Sequence, residues 1–143
     1  MKNIPIGQIL VENGFLKEDQ LEEALEKQRS EPGKKLGDVL LELGYVSETQ
    51  LAQALSIRLK VPFIDLTTTK IDIEAVKKIP EAIAKKNCCV AFQMNDSRLT
   101  VATDDPINFY IFEELKVISG MEIHAMIATR TAINETISKA YSQ

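Results

Sequence analysis

A chain of 143 residues has room for one domain or two small ones, with a real core. Its 45% hydrophobic and 27% charged residues are ordinary for a soluble fold, and no apolar run approaches the roughly 20 residues of a membrane span. The net charge of -4 speaks against general nucleic-acid binding, which asks for a basic face.

In chain order, the start "MKNIPIGQILVENG" is broken by Pro5 and Gly7 and lacks a signal-peptide core, so the expected location is the cytoplasm. The chain then says nearly the same thing twice. Residues 5–28 and 35–58 align without a gap at a period of 30, with nine identities in 24 positions. These are Gly7/Gly37, Leu10/Leu40, Glu12/Glu42, Gly14/Gly44, Glu18/Glu48, Gln20/Gln50, Leu21/Leu51, Ala24/Ala54 and Leu25/Leu55. A period of this size marks a repeated supersecondary unit.

Each unit reads as two short helices. Ile6, Ile9 and Leu10 fall at helical spacing, as do Leu36, Val39, Leu40 and Leu43. Gly14 and Gly44 sit where a helix ends and the chain needs a left-handed residue. "SETQ" at 47–50 is a capping box; Lys17 replaces the serine in the first copy and predicts a weaker cap. The second helices are expected over 18–29 and 48–59, with Leu21, Ala24, Leu25 and Gln28 on one face and Leu51, Ala54, Leu55 and Arg58 on its counterpart. Gln28 and Arg58 thus extend an apolar stripe. Such polar groups either reach water at the rim or find a partner, and both readings stand.

The connector "RSEPGKK", residues 29–35, turns at Pro32 and Gly33 and gathers Arg29, Lys34 and Lys35 in an otherwise acidic chain. Solvated surface is the plain reading. The repeat also brings these cations near Gly7 and Gly37, at the openings of helices whose backbone N–H groups favour anions. A small anionic ligand held between two similar half-sites would use such a duplication, and a ligand of twofold form would suit it best.

"VPFIDL" at 61–66 is an extended segment. Residues 72–79 and 80–87 read as two short helices, the second opened by Pro80. "CCVAFQM" and "RLTVAT" form a hairpin around "NDS", and Cys88 and Cys89 are expected as reduced thiols in its first strand. "DDP" at 104–106 is expected to cap a helix ending near Gly120. "MEIHAMIA" is a further strand, reached by a right-handed crossover, and Ile133, Ile137, Ala140 and Tyr141 line a last helix. The fold class is α+β. Residues 1–66 make an all-helical subdomain of two tandem helical hairpins. Residues 67–143 make a small α/β subdomain with a mixed, roughly three-stranded sheet covered by helices. This second half reads as a packing module with no evident partner patch.

The inventory for catalysis is empty. There is no GxxxxGK[ST] or GxGxxG; His124 is the single histidine and reads as a half-buried strand residue without a ligand partner. Asp104 and Asp105 are explained by a cap, and Glu113 and Glu114 by a solvated helix face. No enzyme, metal or cofactor is expected.

The doubled pattern "LGxxLxxxGxxxxxxLxxALxxQ" followed by "VPFIDL" resembles MshEN, the N-terminal regulatory domain of type IV pilus and type II secretion assembly ATPases. The resemblance covers the whole chain and implies that the ATPase core lies outside it, in the same or a partner chain. It implies cyclic di-GMP as ligand, held by the two motifs. The first copy would contribute Ile6, Gly7, Gln8, Leu10, Leu25 and Gln28, and the connector Arg29 and Lys34. The second would contribute Lys35, Leu36, Gly37, Asp38, Leu40, Leu55 and Arg58. Leucines would bed the bases, glycines would admit the backbone, and cations would meet guanine or phosphate. Three departures stand out: the family's leading Arg is Pro5 and Lys35, its closing Gln is Arg58 in the second copy, and the spacer 29–34 is one residue longer. The alternative that the resemblance also implies is a nucleotide-independent adaptor, docking the ATPase to an inner-membrane platform protein. Such a domain would be peripheral to the membrane through its partners, never inserted, and indifferent to Gln28, Lys35 and Arg58. A third possibility, paired helix-turn-helix units on DNA, is disfavoured by acidic second helices such as "EDQLEEALEKQ".

Overall fold

A computed structural model describes residues 5–142, so residues 1–4 and 143, the outer ends of the two expected domains, lie outside the described residues. The chain divides into two compact units at Lys60/Val61.

In the first unit, α1 (Ile6–Glu12) and α2 (Glu18–Arg29) form one repeat, and α3 (Leu36–Leu43) and α4 (Glu48–Leu59) the other. Both second helices run over the expected spans. Each first helix ends in the same left-handed turn. Gly14 and Gly44 have φ of 75°, where a side chain would clash with its own backbone. The Phe15 N–H donates to the Leu10 carbonyl at 2.9 Å and the Gly14 N–H to the Val11 carbonyl at 3.0 Å. Tyr45 to Leu40 and Gly44 to Leu41 repeat this, each at 3.1 Å. These bonds satisfy carbonyls that the helix leaves open.

The two helix–turn–helix segments do not close mainly upon themselves. Their closest packing is crosswise, α1 against α4 and α2 against α3. Exchanging the two repeats maps one of these contacts onto the other, so the unit has an approximate twofold organisation. Leu10, Ala24, Val39, Leu40 and Ala54 are wholly buried at its centre. Tyr45 ties the repeats further by donating its hydroxyl to Glu23 Oε1 at 2.7 Å; its counterpart in the first copy is Phe15, which has no such group.

The second unit is built on β1 (Cys89–Met94), β2 (Arg98–Thr103) and β3 (Glu122–Ile127), in the order β1-β2-β3. β1 and β2 are the expected antiparallel hairpin. Its turn is held by Asn95 Oδ1, which accepts from Arg98 N–H at 3.0 Å. β2 and β3 run parallel, in register from Arg98 opposite Glu122 to Thr103 opposite Ile127. Phe63 bridges Ile127, and Ile127 N–H donates to the Pro62 carbonyl at 2.8 Å. Residues 61–66 therefore extend this sheet. That backbone pairing is why the division falls earlier than the expected boundary after Leu66. A bulge between Ala91 and Gln93 turns Phe92 fully inward and leaves its carbonyl to accept Asp72 N–H at 2.9 Å.

Helices α5 (Ile73–Val76), α6 (Glu81–Asn87), α7 (Phe109–Ser119) and α8 (Arg130–Ala140) cover the sheet. Helix α8 buries Ile133, Ile137 and Ala140 as its spacing predicts, and the Tyr141 hydroxyl donates to the Ile79 carbonyl at 2.7 Å. Three expectations are corrected. Helix α7 is not capped by 104–106. It starts at Phe109, where Asn108 Oδ1 accepts Ile111 N–H at 3.4 Å, while Asp104 takes Arg130 Nε at 2.9 Å. His124 is exposed on β3, not half-buried. Of the two thiols, Cys89 alone lies in the strand, where burial pushes it up to about 12; Cys88 caps α6 in a left-handed conformation. Among the described residues no helix is long and apolar enough to cross a membrane.

The caps differ as the sequence predicts. Ser47 Oγ accepts Gln50 N–H at 3.1 Å and Gln50 Oε1 accepts Ser47 N–H at 3.0 Å. At α2 the return bond from Lys17 N–H to Gln20 Oε1 remains, at 3.0 Å, and lysine supplies no oxygen for the other half. Ser47→Ala should therefore cost about 1 kcal/mol, whereas Lys17→Ser should add less, because Asp19 Oδ1 already accepts the Gln20 N–H at 2.9 Å; both are read from urea unfolding of the whole chain. Unchanged midpoints would show that these caps contribute nothing.

Candidate ligand site

The expected site residues all lie in the helical unit, and the structure sorts them by depth. Leu10 and Leu40 are 0% exposed, so they shape any surface from beneath and do not reach it. Ile6, Leu25, Leu36 and Leu55 are half-buried and keep apolar surface at the rim. Gly7 and Gly37 fall within the first turns of α1 and α3, not before them. A β-carbon on Gly7 would stand 2.6 Å from Leu21 Cδ1, and one on Gly37 would stand 3.0 Å from Leu51 Cδ2. The recurrence of both glycines is thus explained by close packing alone, whatever else they do. Gln8 is exposed and donates to Glu12 Oε1 at 3.1 Å; Asp38 is half-buried in the first turn of α3.

Around the connector the polar groups converge. Gln28 does not simply reach water: its Nε2 donates to the Lys34 carbonyl at 2.9 Å, clasping the end of α2 to the approach of α3. Lys34 Nζ pairs with Glu42 and, at 3.5 Å, with Glu31; Lys27 Nζ lies 3.9 Å from the other oxygen of Glu42. Arg29 and Lys35 are exposed on either side of this cluster, Lys35 at the N-cap of α3. Residues 28, 29 and 34–38 are thereby brought to one edge. Arg58 is exposed in the last turn of α4, the helix packed on α1, whose N-cap is Pro5. The first-copy counterpart of Lys34 is residue 4, outside the described residues.

Three participants escaped the sequence reading. Glu42 accepts two lysines, although its recurrence as Glu12/Glu42 was visible; Lys27 sits beside Gln28 on the same helix. Glu31, in the lengthened spacer, keeps one carboxylate oxygen buried without a hydrogen-bond partner among the described residues. The hydrogen bond from Lys34 holds the Glu42 carboxyl below its ordinary range, and the same bond raises the Lys34 ammonium. Among the described residues no cluster of His, Cys, Asp and Glu is fit to hold a metal.

The chain is similar to several known proteins. The family described as "MshEN domain" matches residues 59–143. That span is the sheet-bearing half and not the repeats. A solved structure of MshE with cdg, cyclic di-GMP, is 33% identical with a TM-score of 0.81, covering 96% of this chain and 99% of that one. The solved N-terminal domain of XpsE is 22% identical with a TM-score of 0.70, over 96% of this chain and 97% of that one, a likeness of fold. The type IV pilus assembly ATPase PilB of Myxococcus xanthus (strain DK1622) is 29% identical over 138 residues; they make 96% of this chain but 24% of that protein.

The Lys34–Glu42 pair has a definite pH signature. A carboxyl held low adds stability above its ordinary range and loses it as acid protonates it. The Glu42 side-chain carbon, followed by NMR, should titrate below the ordinary glutamate value, and Lys34→Met should move it upward. No movement would mean that the pair is absent in solution.

Proposed function

This chain belongs to the MshEN domain family, and from that membership we propose that it is a cyclic di-GMP-binding regulatory domain of a type IV pilus or type II secretion assembly ATPase. The observation that carries the reading is the likeness to MshE solved with that ligand, which runs through both repeats and the sheet unit. Local chemistry supports it. Two equivalent helix pairs, crossed on an approximate twofold, match a ligand made of two guanines and two phosphates. Half-buried Ile6, Leu25, Leu36 and Leu55 offer apolar beds for the bases. Exposed Arg29, Lys35 and Arg58 offer charge to phosphate or a face to guanine.

The departures from the family pattern take on definite roles here. Lys35 supplies charge as a point ammonium where the pattern has a planar guanidinium, so it serves phosphate better than stacking. Arg58, at the close of the same repeat, supplies the guanidinium fork that Lys35 lacks. Lys34 is engaged by Glu42, and exposed ion pairs of this kind are weak, so a phosphate can take over from the carboxylate. Regulation follows if the ligand, by bridging both repeats, stiffens the unit through which the ATPase core of the same or a partner chain is set against its membrane platform.

Isothermal titration with cyclic di-GMP, with GTP and ATP as controls, should give saturable binding near one ligand per chain at micromolar affinity or better. Lys35→Ala and Arg58→Ala should each weaken it by more than about tenfold, through loss of a charged partner for phosphate. Absence of heat at about 100 micromolar would exclude the messenger, since useful sensing needs affinities well below that concentration. The adaptor role would then be the reading to pursue.

A further inference from the structure

Helix α7 is apolar on two opposite sides. Its inner side packs on the sheet unit through buried Leu115 and half-buried Ile111 and Phe112. Its outer side carries Tyr110, 90% exposed, and Val117, 82% exposed, with Phe109 at 74% on the flank and Ile107 at 58% just before it. Tyr110 and Val117 are seven residues apart and so lie in line, two turns along one face. Between them stand Glu113 and Glu114, both exposed. Single exposed apolar residues are common. Two aromatics and two branched aliphatics gathered on one helix and its approach are not, and such a patch ordinarily marks a face that is covered.

The charges at the centre of this face select the occupant. In a twofold pairing of two copies through α7 run antiparallel, Tyr110 would meet Val117, and Glu113 would meet Glu114. Like charges would then be pressed together at the axis of the contact, which disfavours self-association. An anionic bilayer is disfavoured by the same carboxylates, since Lys116 is the single cation on the helix and an interfacial helix asks for a cationic polar face. The geometry points to a docking surface on the outer side of α7 for a helix of a partner protein. That helix carries an apolar stripe, which covers Phe109, Tyr110 and Val117, and Lys or Arg at the centre of the stripe, which meets Glu113 and Glu114. The mode is a helix laid along a helix face, with tyrosine and phenylalanine as anchors. This surface belongs to the sheet unit, and it stands or falls independently of nucleotide binding by the repeats.

The test uses the whole chain, labelled with nitrogen-15, and two synthetic helices of about 20 residues that share one Leu/Phe stripe, long enough to be helical when bound. One has Lys at the centre of the stripe, the other Glu. The Lys helix should bind saturably, with amide shifts gathered on residues 107–118, and the Glu helix should bind at least about tenfold more weakly. Glu113→Lys with Glu114→Lys should invert the preference. Tyr110→Ala with Val117→Ala should weaken the Lys helix at least about tenfold while the thermal midpoint stays put, because both side chains are exposed. The proposal is overturned by binding of neither helix, by shifts elsewhere, or by equal affinity for the two. It is equally overturned by preference for phosphatidylcholine/phosphatidylglycerol vesicles, or by a dimer in sedimentation that Tyr110→Ala dissolves.

Discussion

A leucine pressed onto a glycine, made twice at an interval of 30 residues, is the contact on which the helical unit depends. Leu21 and Leu51 occupy the space that a β-carbon on Gly7 and Gly37 would claim. This local contact joins each first helix to the second helix of its own repeat beside the broader crosswise packing, and small Ala24 and Ala54 are wholly buried in the same core. Leu10 and Leu40 then have no route to solvent. The left-handed turns at Gly14 and Gly44 follow at once, because the chain must reverse within a few residues to present the next helix. The polar edge at 28–38 is a by-product of the same geometry. It forms where the end of one repeat meets the start of the next, and Gln28 holds the two together.

The sheet unit obeys a different constraint. Its hairpin brings β1 and β2 together locally, and α7 carries the chain across to lay β3 parallel to β2. The bulge at Phe92 drives a large side chain inward, and α8 closes over the result with Ile133 and Ile137. The interior polar cost is small: Thr103, nearly buried, accepts Asp105 N–H at 3.0 Å.

The helices of the repeats were legible because duplication gives each signal twice. Gly14 and Gly44, or Gln20 and Gln50, confirm one another as no single residue could. The crosswise packing was not legible. Both sides of the exchange present the same apolar spacing, and periodicity names a buried face without naming what buries it. The start of α7 was lost for a related reason: Asp104, Asp105 and Asn108 are all good caps, and the ion pair of Asp104 with Arg130 is a tertiary fact. The outer side of α7 was missed because a segment apolar on two sides shows no clear period. In the candidate site, the residue types were visible and their partners were not. Nothing local says that Glu42 will draw Lys34 and Lys27 together, or that Gln28 will turn back to the main chain.

The crosswise packing has a consequence for how such a unit can vary. A single repeat would leave both contact faces bare, and two copies on separate chains could satisfy them only by association. Joined by residues 30–35, the second copy is held at an effective concentration of roughly millimolar or more. Association becomes a first-order folding step that dilution does not undo. Linkage also lifts a restriction. Two identical chains must present identical half-sites, whereas two copies on one chain need not. Pro5 against Lys35, Phe15 against Tyr45 and Gln28 against Arg58 are differences that only a covalent pair can keep.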